Sequence, residues 1–324
     1  MKAILCKEHG TPDTLTFEDI AEPELGSGQV RIAVKACGVN FPDVLMVAGM
    51  YQMQPPLPFS PGAELAGEIL QTASDVTQFQ PGQRVLALSA FGGMAEQICV
   101  PAQTVMPIPD AMPYETAAAF LLTYGTSYYA LKQRAQLQAD ETLLVLGAAG
   151  GVGLAAVELG HLMGANVIAA ASTDEKLQLA REYGAAMSID YTRDNLKDQM
   201  RELTDGKGAD VIYDPVGGDL FDQCLRSVAW NGRILIIGFA SGTIPKIPAN
   251  LPLLKGAAIV GVFWGRFAEK EPTTHQQNTR ELFAWYAEGK IRPMISRAFP
   301  LEDGANAIAM LAERRATGKV VVTI

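Results

Sequence analysis

The chain has 324 residues, of which 48% are hydrophobic and 19% charged, and its 26 Lys plus Arg against 35 Asp plus Glu give a net charge of −9. That length accommodates two domains with a sizeable core, and the composition excludes a disordered chain. The acidity argues against a nucleic-acid-binding surface, while leaving room for a local basic pocket.

The first ~120 residues read as strand-rich, because turn-forming Gly and Pro are dense there. Residues 29–36 alternate, with Val30, Ile32 and Val34 set against Arg31, Ala33 and Lys35. Pro55-Pro56, Pro61-Gly62 and Pro81-Gly82 punctuate the segment, and residues 82–87 read as a turn feeding a strand. Short strands with such turns predict a β-rich, partly open barrel. From Tyr114 the pattern changes, with helices predicted over 115–120 and 126–133. The apolar run 143–146 then leads into Gly147-Ala148-Ala149-Gly150-Gly151-Val152-Gly153 and a helix over 154–163. A strand over 166–171, a helix over 174–183 closed by Gly184 and a strand over 187–190 continue the βα alternation. Further strands are expected at 210–214, 233–239, 257–263 and 319–324, and helices at 274–288 and 303–315. No run approaches the roughly 20 apolar residues that cross a bilayer. Met1 to Lys7 lacks the apolar stretch of a signal peptide, so a cytoplasmic location is expected.

A buried strand, a glycine turn and a helix start together form the place where a dinucleotide pyrophosphate sits. The strict G-x-G-x-x-G reads here as Ala148-x-Gly150-x-x-Gly153, so its first glycine is alanine. Such a turn either binds phosphate or only packs a helix onto a strand; the βαβα order that follows favours the first. The expected fold is therefore α/β, a doubly wound parallel sheet inserted into a β-rich domain. The boundaries expected are 1–122, 123–262 and a return over 263–324, with nicotinamide and substrate in the cleft between the domains.

An NAD site wants a carboxylate about 20 residues past the glycine turn. Ser172 stands there instead, Lys176 follows one helical turn later, and Tyr191 lies beyond the third strand. A hydroxyl, an ammonium and a phenol suit a 2′-phosphate dianion, which favours NADPH. Three alternatives stay open. Ser172-Thr173-Asp174-Glu175 is also a capping box, Lys176 is equally a solvated helix residue, and Asp174 is a candidate ribose acid for NADH.

Several spaced segments occur in a telling order: Cys37-Gly38-Val39-Asn40-Phe41-Pro42-Asp43, Gly49-Met50-Tyr51, Pro61-Gly62-Ala63-Glu64-Leu65-Ala66-Gly67 and Pro81-Gly82-Gln83-Arg84-Val85. The 149–153 turn, Asp214-Pro215-Val216-Gly217-Gly218 and Gly318-Lys319-Val320-Val321 complete the series. In these the chain resembles the medium-chain dehydrogenase/reductases, and more closely their zinc-independent quinone oxidoreductases of the zeta-crystallin type. The resemblance implies a GroES-like catalytic domain and a Rossmann domain binding NADPH. Zinc members carry a cysteine and a histidine where this chain has Asn40 and Ala63. Neither residue suits tetrahedral Zn²⁺, and the four-cysteine structural lobe is missing. Cys6, Cys37, Cys99 and Cys224 are scattered, as are His9, His161 and His275, so no metal and no disulfide framework is expected.

By the same resemblance Ser172, Lys176 and Tyr191 line the 2′-phosphate pocket, and Thr123 lies near the nicotinamide. Ala149, Gly150, Gly151 and Val152 are the expected phosphate contacts. Val216, Gly238, Phe239, Ala240 and Phe263 sit at strand ends facing the cofactor, and Trp264 is either a cofactor neighbour or plain hydrophobic wall. Asn40 is expected beside the nicotinamide, either donating to the acceptor oxygen or fixing the ribose; otherwise it is a turn residue. Tyr51 is either a proton donor and carbonyl anchor or a packed aromatic, Tyr124 is a weaker candidate donor, and Asp43 orients neighbours. The expected function is NADPH-dependent hydride transfer to a quinone or similar electron-poor acceptor. Enone or enoyl-thioester reduction is the alternative within enzymes, and a non-catalytic NADPH-binding protein is the alternative outside them. A homodimer through the cofactor domains, contacting over 244–263, is expected, with neither nucleic acid nor membrane as partner.

Overall fold

Residues 1–324 are all described by the computed structural model, which divides into two units, 1–121 with 293–324, and 122–292. In the first, β1 (Lys2–Leu5) and β2 (Thr16–Asp19) form an antiparallel pair. They are followed by β3 (Gln29–Val39), α1 (Phe41–Val47), β4 (Glu64–Thr72), β5 (Arg84–Leu88), β6 (Gln97–Pro101), β7 (Val105–Pro107) and α2 (Tyr114–Ala117). β3 buries Val30, Ile32 and Val34 as its alternation predicts, but it runs on to Val39. Its register shifts between Val34 and Ala36, and beyond that point Ala36, Cys37, Gly38 and Val39 are all buried. The period-two signal is lost there, so the strand's end is invisible to alternation.

The second unit opens on α3 (Leu121–Tyr128), which continues as a π-helical segment, Tyr129–Ala135. Then come β8 (Thr142–Leu146), α4 (Gly151–Leu162), β9 (Asn166–Ala171), α5 (Asp174–Glu182), β10 (Met187–Asp190), α6 (Leu196–Leu203), β11 (Ala209–Asp214) and α7 (Leu220–Ser227). β12 (Val228–Ile236), α8 (Asn250–Lys255), β13 (Ala258–Gly261), α9 (Trp264–Lys270) and α10 (Pro272–Ala287) complete it. All six strands are parallel, in the order β10-β9-β8-β11-β12-β13. This is the doubly wound arrangement, whose strand order reverses between β8 and β11. The core is made by Leu144, Leu146, Ile168 and Ile212 of the strands and Phe221 of α7.

Segment 263–292, expected to return to the first domain, belongs to the second unit instead. Glu281 of α10 pairs with Lys132 at 2.6 Å, and Trp285 meets Tyr128 edge-on at 5.4 Å. The return begins at Pro293, with β14 (Ile295–Pro300), α11 (Gly304–Ala312) and β15 (Lys319–Thr323). These strands complete a seven-stranded sheet in the order β14-β15-β3-β4-β5-β7, with β6 also on β3. No helix is long and apolar enough to cross a membrane.

Candidate functional site

In the first unit the site forms where β3 hands over to α1. The Asn40 backbone N–H donates to Asp43 Oδ2 at 2.7 Å, and the Gly62 N–H donates to Asp43 Oδ1 at 3.1 Å. Asp43 therefore does the local turn work, and the Asn40 side chain is released inward. Its Nδ2 donates to Gly38 O at 3.2 Å and to Glu64 Oε2 at 3.1 Å. Its Oδ1 accepts from Lys319 Nζ at 2.6 Å. The same ammonium donates to Val39 O and Glu64 Oε2, each at 3.1 Å. Register explains the convergence: β4 sets Glu64 opposite Gly38, and β15 sets Val320 opposite Val39. Asn40, Glu64 and Lys319 are all buried. Both N–H groups of the Asn40 carboxamide are spent inside the protein, so of the two functional roles expected for it, donation to an acceptor oxygen is closed. Accepting from a ribose hydroxyl remains open.

Burial pushes the Asp43 carboxyl up to about 6, against the pull of its two backbone N–H partners. Burial, and then the charge of Asp43, holds the Tyr51 phenol above its usual range, so it stays protonated at neutral pH. The Tyr51 ring packs against the core cluster containing Val39, Met46 and Val47.

In the second unit the glycine turn opens α4 three residues earlier than expected. Gly150 is its N-cap, Gly151 its first residue, and the Leu154 N–H to Gly150 O bond at 2.7 Å its first internal rung. The amides of Gly151, Val152 and Gly153 thus form the open first turn that an anion can use. The left-handed residue is Gly147 (φ +56), one position before the strict motif's first glycine, which is why Ala148 serves. Gly153 must be glycine: a Cβ there would lie 2.2 Å from Gly147 O. Val216 packs against this turn, its Cγ2 3.3 Å from where a Gly147 Cβ would sit. Asp214 Oδ1 holds its loop by accepting the Val216 and Gly217 N–H groups at 2.8 and 2.9 Å. The Ala240 N–H donates to Pro215 O at 3.0 Å and brings 238–240 alongside.

At the end of β9, Thr173 and not Ser172 caps α5, accepting the Lys176 N–H at 3.3 Å. The capping-box alternative for Ser172 falls, and its hydroxyl meets Lys176 Nζ at 3.5 Å. Tyr191 follows β10 next door, its N–H on Ala171 O at 3.2 Å. Asp174 pairs with Arg193 at an exposed position through two hydrogen bonds of 3.1 and 3.3 Å. Sequence reasoning misses Arg193, because the charge-mixed stretch 190–194 holds no signal that singles it out. All these groups lie at the carboxyl ends of parallel strands, where open α/β sheets bind ligands. Phe263 follows the edge strand β13 and is 65% exposed, whereas Trp264 is buried edge-on to His275 at 5.4 Å and is wall. Thr123 is buried in α3. The Tyr124 phenol donates to buried Glu158 at 2.6 Å, and that carboxylate also accepts the Arg292 backbone N–H at 3.0 Å, so Tyr124 braces it.

The family model described as "Alcohol dehydrogenase GroES-like domain" matches residues 26–110, and that described as "Zinc-binding dehydrogenase" matches 151–284. The chain is 45% identical over 325 residues to quinone oxidoreductase-like protein 2 homolog of Nematostella vectensis, covering 99% of this chain and 88% of the relative. The solved structure of Escherichia coli quinone oxidoreductase complexed with NADPH superposes with a TM-score of 0.95 at 28% identity, covering 100% of both chains. A mycobacterial structure, also complexed with NADPH, gives 0.94 at 32% identity and the same coverage. The zinc in the second family description does not fit the residues present. No three His, Cys, Asp or Glu side chains converge. Asp43 is taken by two backbone N–H groups and Glu64 by an ammonium, and burial keeps the Cys37 thiol protonated.

Proposed function

The chain belongs to the quinone oxidoreductase family of the medium-chain dehydrogenase/reductases, and from that premise we propose that it uses NADPH to reduce a quinone or a similarly electron-poor acceptor. The observation that carries the cofactor choice is the end of β9, where the Ser172 hydroxyl and Lys176 ammonium meet and Asp174 pairs with Arg193. A 2′-phosphate finds donors there, and the carboxylate that would select NADH already pairs with an arginine. Tyr191 completes this pocket in our reading. Ala149, Gly150, Gly151 and Val152 bind the pyrophosphate, and Thr123, Val216, Gly238, Phe239, Ala240 and Phe263 contact the nicotinamide half.

The cofactor supplies hydride. We assign Asn40 to its reacting end as a hydrogen-bond acceptor, and Tyr51 as the group that anchors or protonates the reduced acceptor. Without a Lewis acid, an acceptor that is already electrophilic is the better substrate. The protonated Tyr51 phenol favours a second reading, reduction of an activated C=C bond in which it protonates the enolate. We further read the protein as a cytoplasmic homodimer joined along β13. That strand is the edge of the parallel sheet, and beside it Trp230, Leu253 and Leu254 are 72%, 79% and 69% exposed.

Steady-state oxidation of NADPH and of NADH, against p-benzoquinone and a small enone, tests the assignment. Strong preference for NADPH is expected. Lys176→Ala then raises its KM by roughly tenfold, the loss of one charge-assisted hydrogen bond, without improving NADH. Equal use of NADH overturns the pocket, and tight NADPH binding with no turnover of any acceptor favours the non-catalytic binding protein.

A further inference from the structure

Asn40 can present either end of its carboxamide, and chemistry decides which. An ammonium only donates, so the Asn40 atom 2.6 Å from Lys319 Nζ is oxygen. The carboxylate paired with that ammonium accepts, so the atom 3.1 Å from Glu64 Oε2 is nitrogen. The opposite orientation would place N–H against ammonium and oxygen against carboxylate, two buried repulsions at once. Nδ2 spends both hydrogens, on Glu64 Oε2 and Gly38 O, and Lys319 spends all three of its own, on Val39 O, Asn40 Oδ1 and Glu64 Oε2. One lone pair of Oδ1 is the only hydrogen-bonding capacity the Asn40 side chain retains.

We propose that the buried Lys319–Glu64 pair is a positioning device that locks the Asn40 carboxamide oxygen-outward, so that Asn40 accepts one hydrogen bond from a hydroxyl or amide N–H on the nicotinamide half of the cofactor. This rests on the placement of Asn40 at the reacting end of the cofactor. Lys319 and Glu64 touch neither cofactor nor acceptor; they act through Asn40. A buried ion pair is a costly way to gain stability, and apolar replacements often match it. Fixing one amide orientation is a use that an apolar pair cannot serve. Distance along the chain adds weight: the lock joins residues 279 and 255 positions apart.

Removing Lys319 alone strands a buried carboxylate and threatens the fold, so the test uses the charge-neutral pair Lys319→Met/Glu64→Gln. Thermal unfolding, NADPH affinity by fluorescence titration, and kcat and KM with p-benzoquinone are measured for this pair, for Asn40→Ala, for the triple variant and for Lys319→Arg. The pair is expected to stay folded and bind NADPH within about threefold, because phosphate recognition lies elsewhere. Its kcat should fall, by up to about a hundredfold, the scale of a misplaced reacting group. Adding Asn40→Ala should cost little further in kcat, since the proposal routes the pair's effect on turnover through Asn40, and Lys319→Arg, which retains a cationic donor, should recover most of kcat. A folded pair with unchanged kcat overturns the proposal, as does a triple variant whose losses multiply. If Asn40→Ala alone leaves kcat unchanged, the placement of Asn40 fails instead, and the two failures are told apart.

Discussion

Asp43 is a carboxylic acid held far from its ordinary state. Its carboxyl binds a proton more tightly in the folded protein, near 6, than at its usual 3.8. Its contribution to stability is therefore full below pH 4 and lost as the pH rises through 6. Tighter proton binding of that size is worth about 3 kcal/mol. Urea unfolding at pH 4, 5, 6 and 7 should show wild-type stability falling by that order relative to Asp43→Asn, and a pH-independent difference would contradict it. At this scale the sequence is unevenly legible. Asn40 and Tyr51 stand out because they sit inside recognisable segments. Lys319 lies inside such a segment too, but it reads there as a charge heading an apolar strand, and nothing local names Asn40 or Glu64 as its partners. A contact made through strand register across more than 250 residues leaves no trace in spacing.

Among the elements, the glycine turn and its helix are the most constrained. A Cβ on Gly153 meets backbone oxygen at 2.2 Å, and no side chain can swing aside to relieve it. Gly153→Ala should lower stability by roughly 1–3 kcal/mol and weaken NADPH binding. Gly150→Ala, whose Cβ stays 3.4 Å from the same oxygen, should be milder in thermal unfolding. Identical melting of the two variants would refute the close-approach account. The strands β8 and β9 are readable almost to the residue, since a strand buried on both faces is a continuous apolar run. The helices α6 and α7 escape notice: α6 is eight residues long and buries only Leu196 and Met200. The early start of α4 is hidden because glycine reads as turn even where it occupies the first turn of a helix.

For the whole molecule, assembly has a direct measurement. Sedimentation should find a dimer, and Leu253→Glu with Leu254→Glu should give a folded monomer, because both side chains are exposed and their replacement disturbs no core. A wild-type monomer would remove the edge-strand reading. The domain plan is legible in outline, a β-rich part interrupted by a parallel-sheet insert. The place of return is not, because α10 carries no mark of which unit it serves; only its partners Tyr128 and Lys132 reveal that. The interruption also sets a timetable. β15 lies between β14 and β3 in the first unit's sheet, yet it is translated after the whole of 122–292. On the ribosome the second unit is contiguous and free to fold at once, while the 36–39 end of β3, beyond the stretch that β6 covers, waits for a neighbour not yet made. The lysine that holds Asn40 arrives on that same late strand, so completing the sheet and arming the site are a single event.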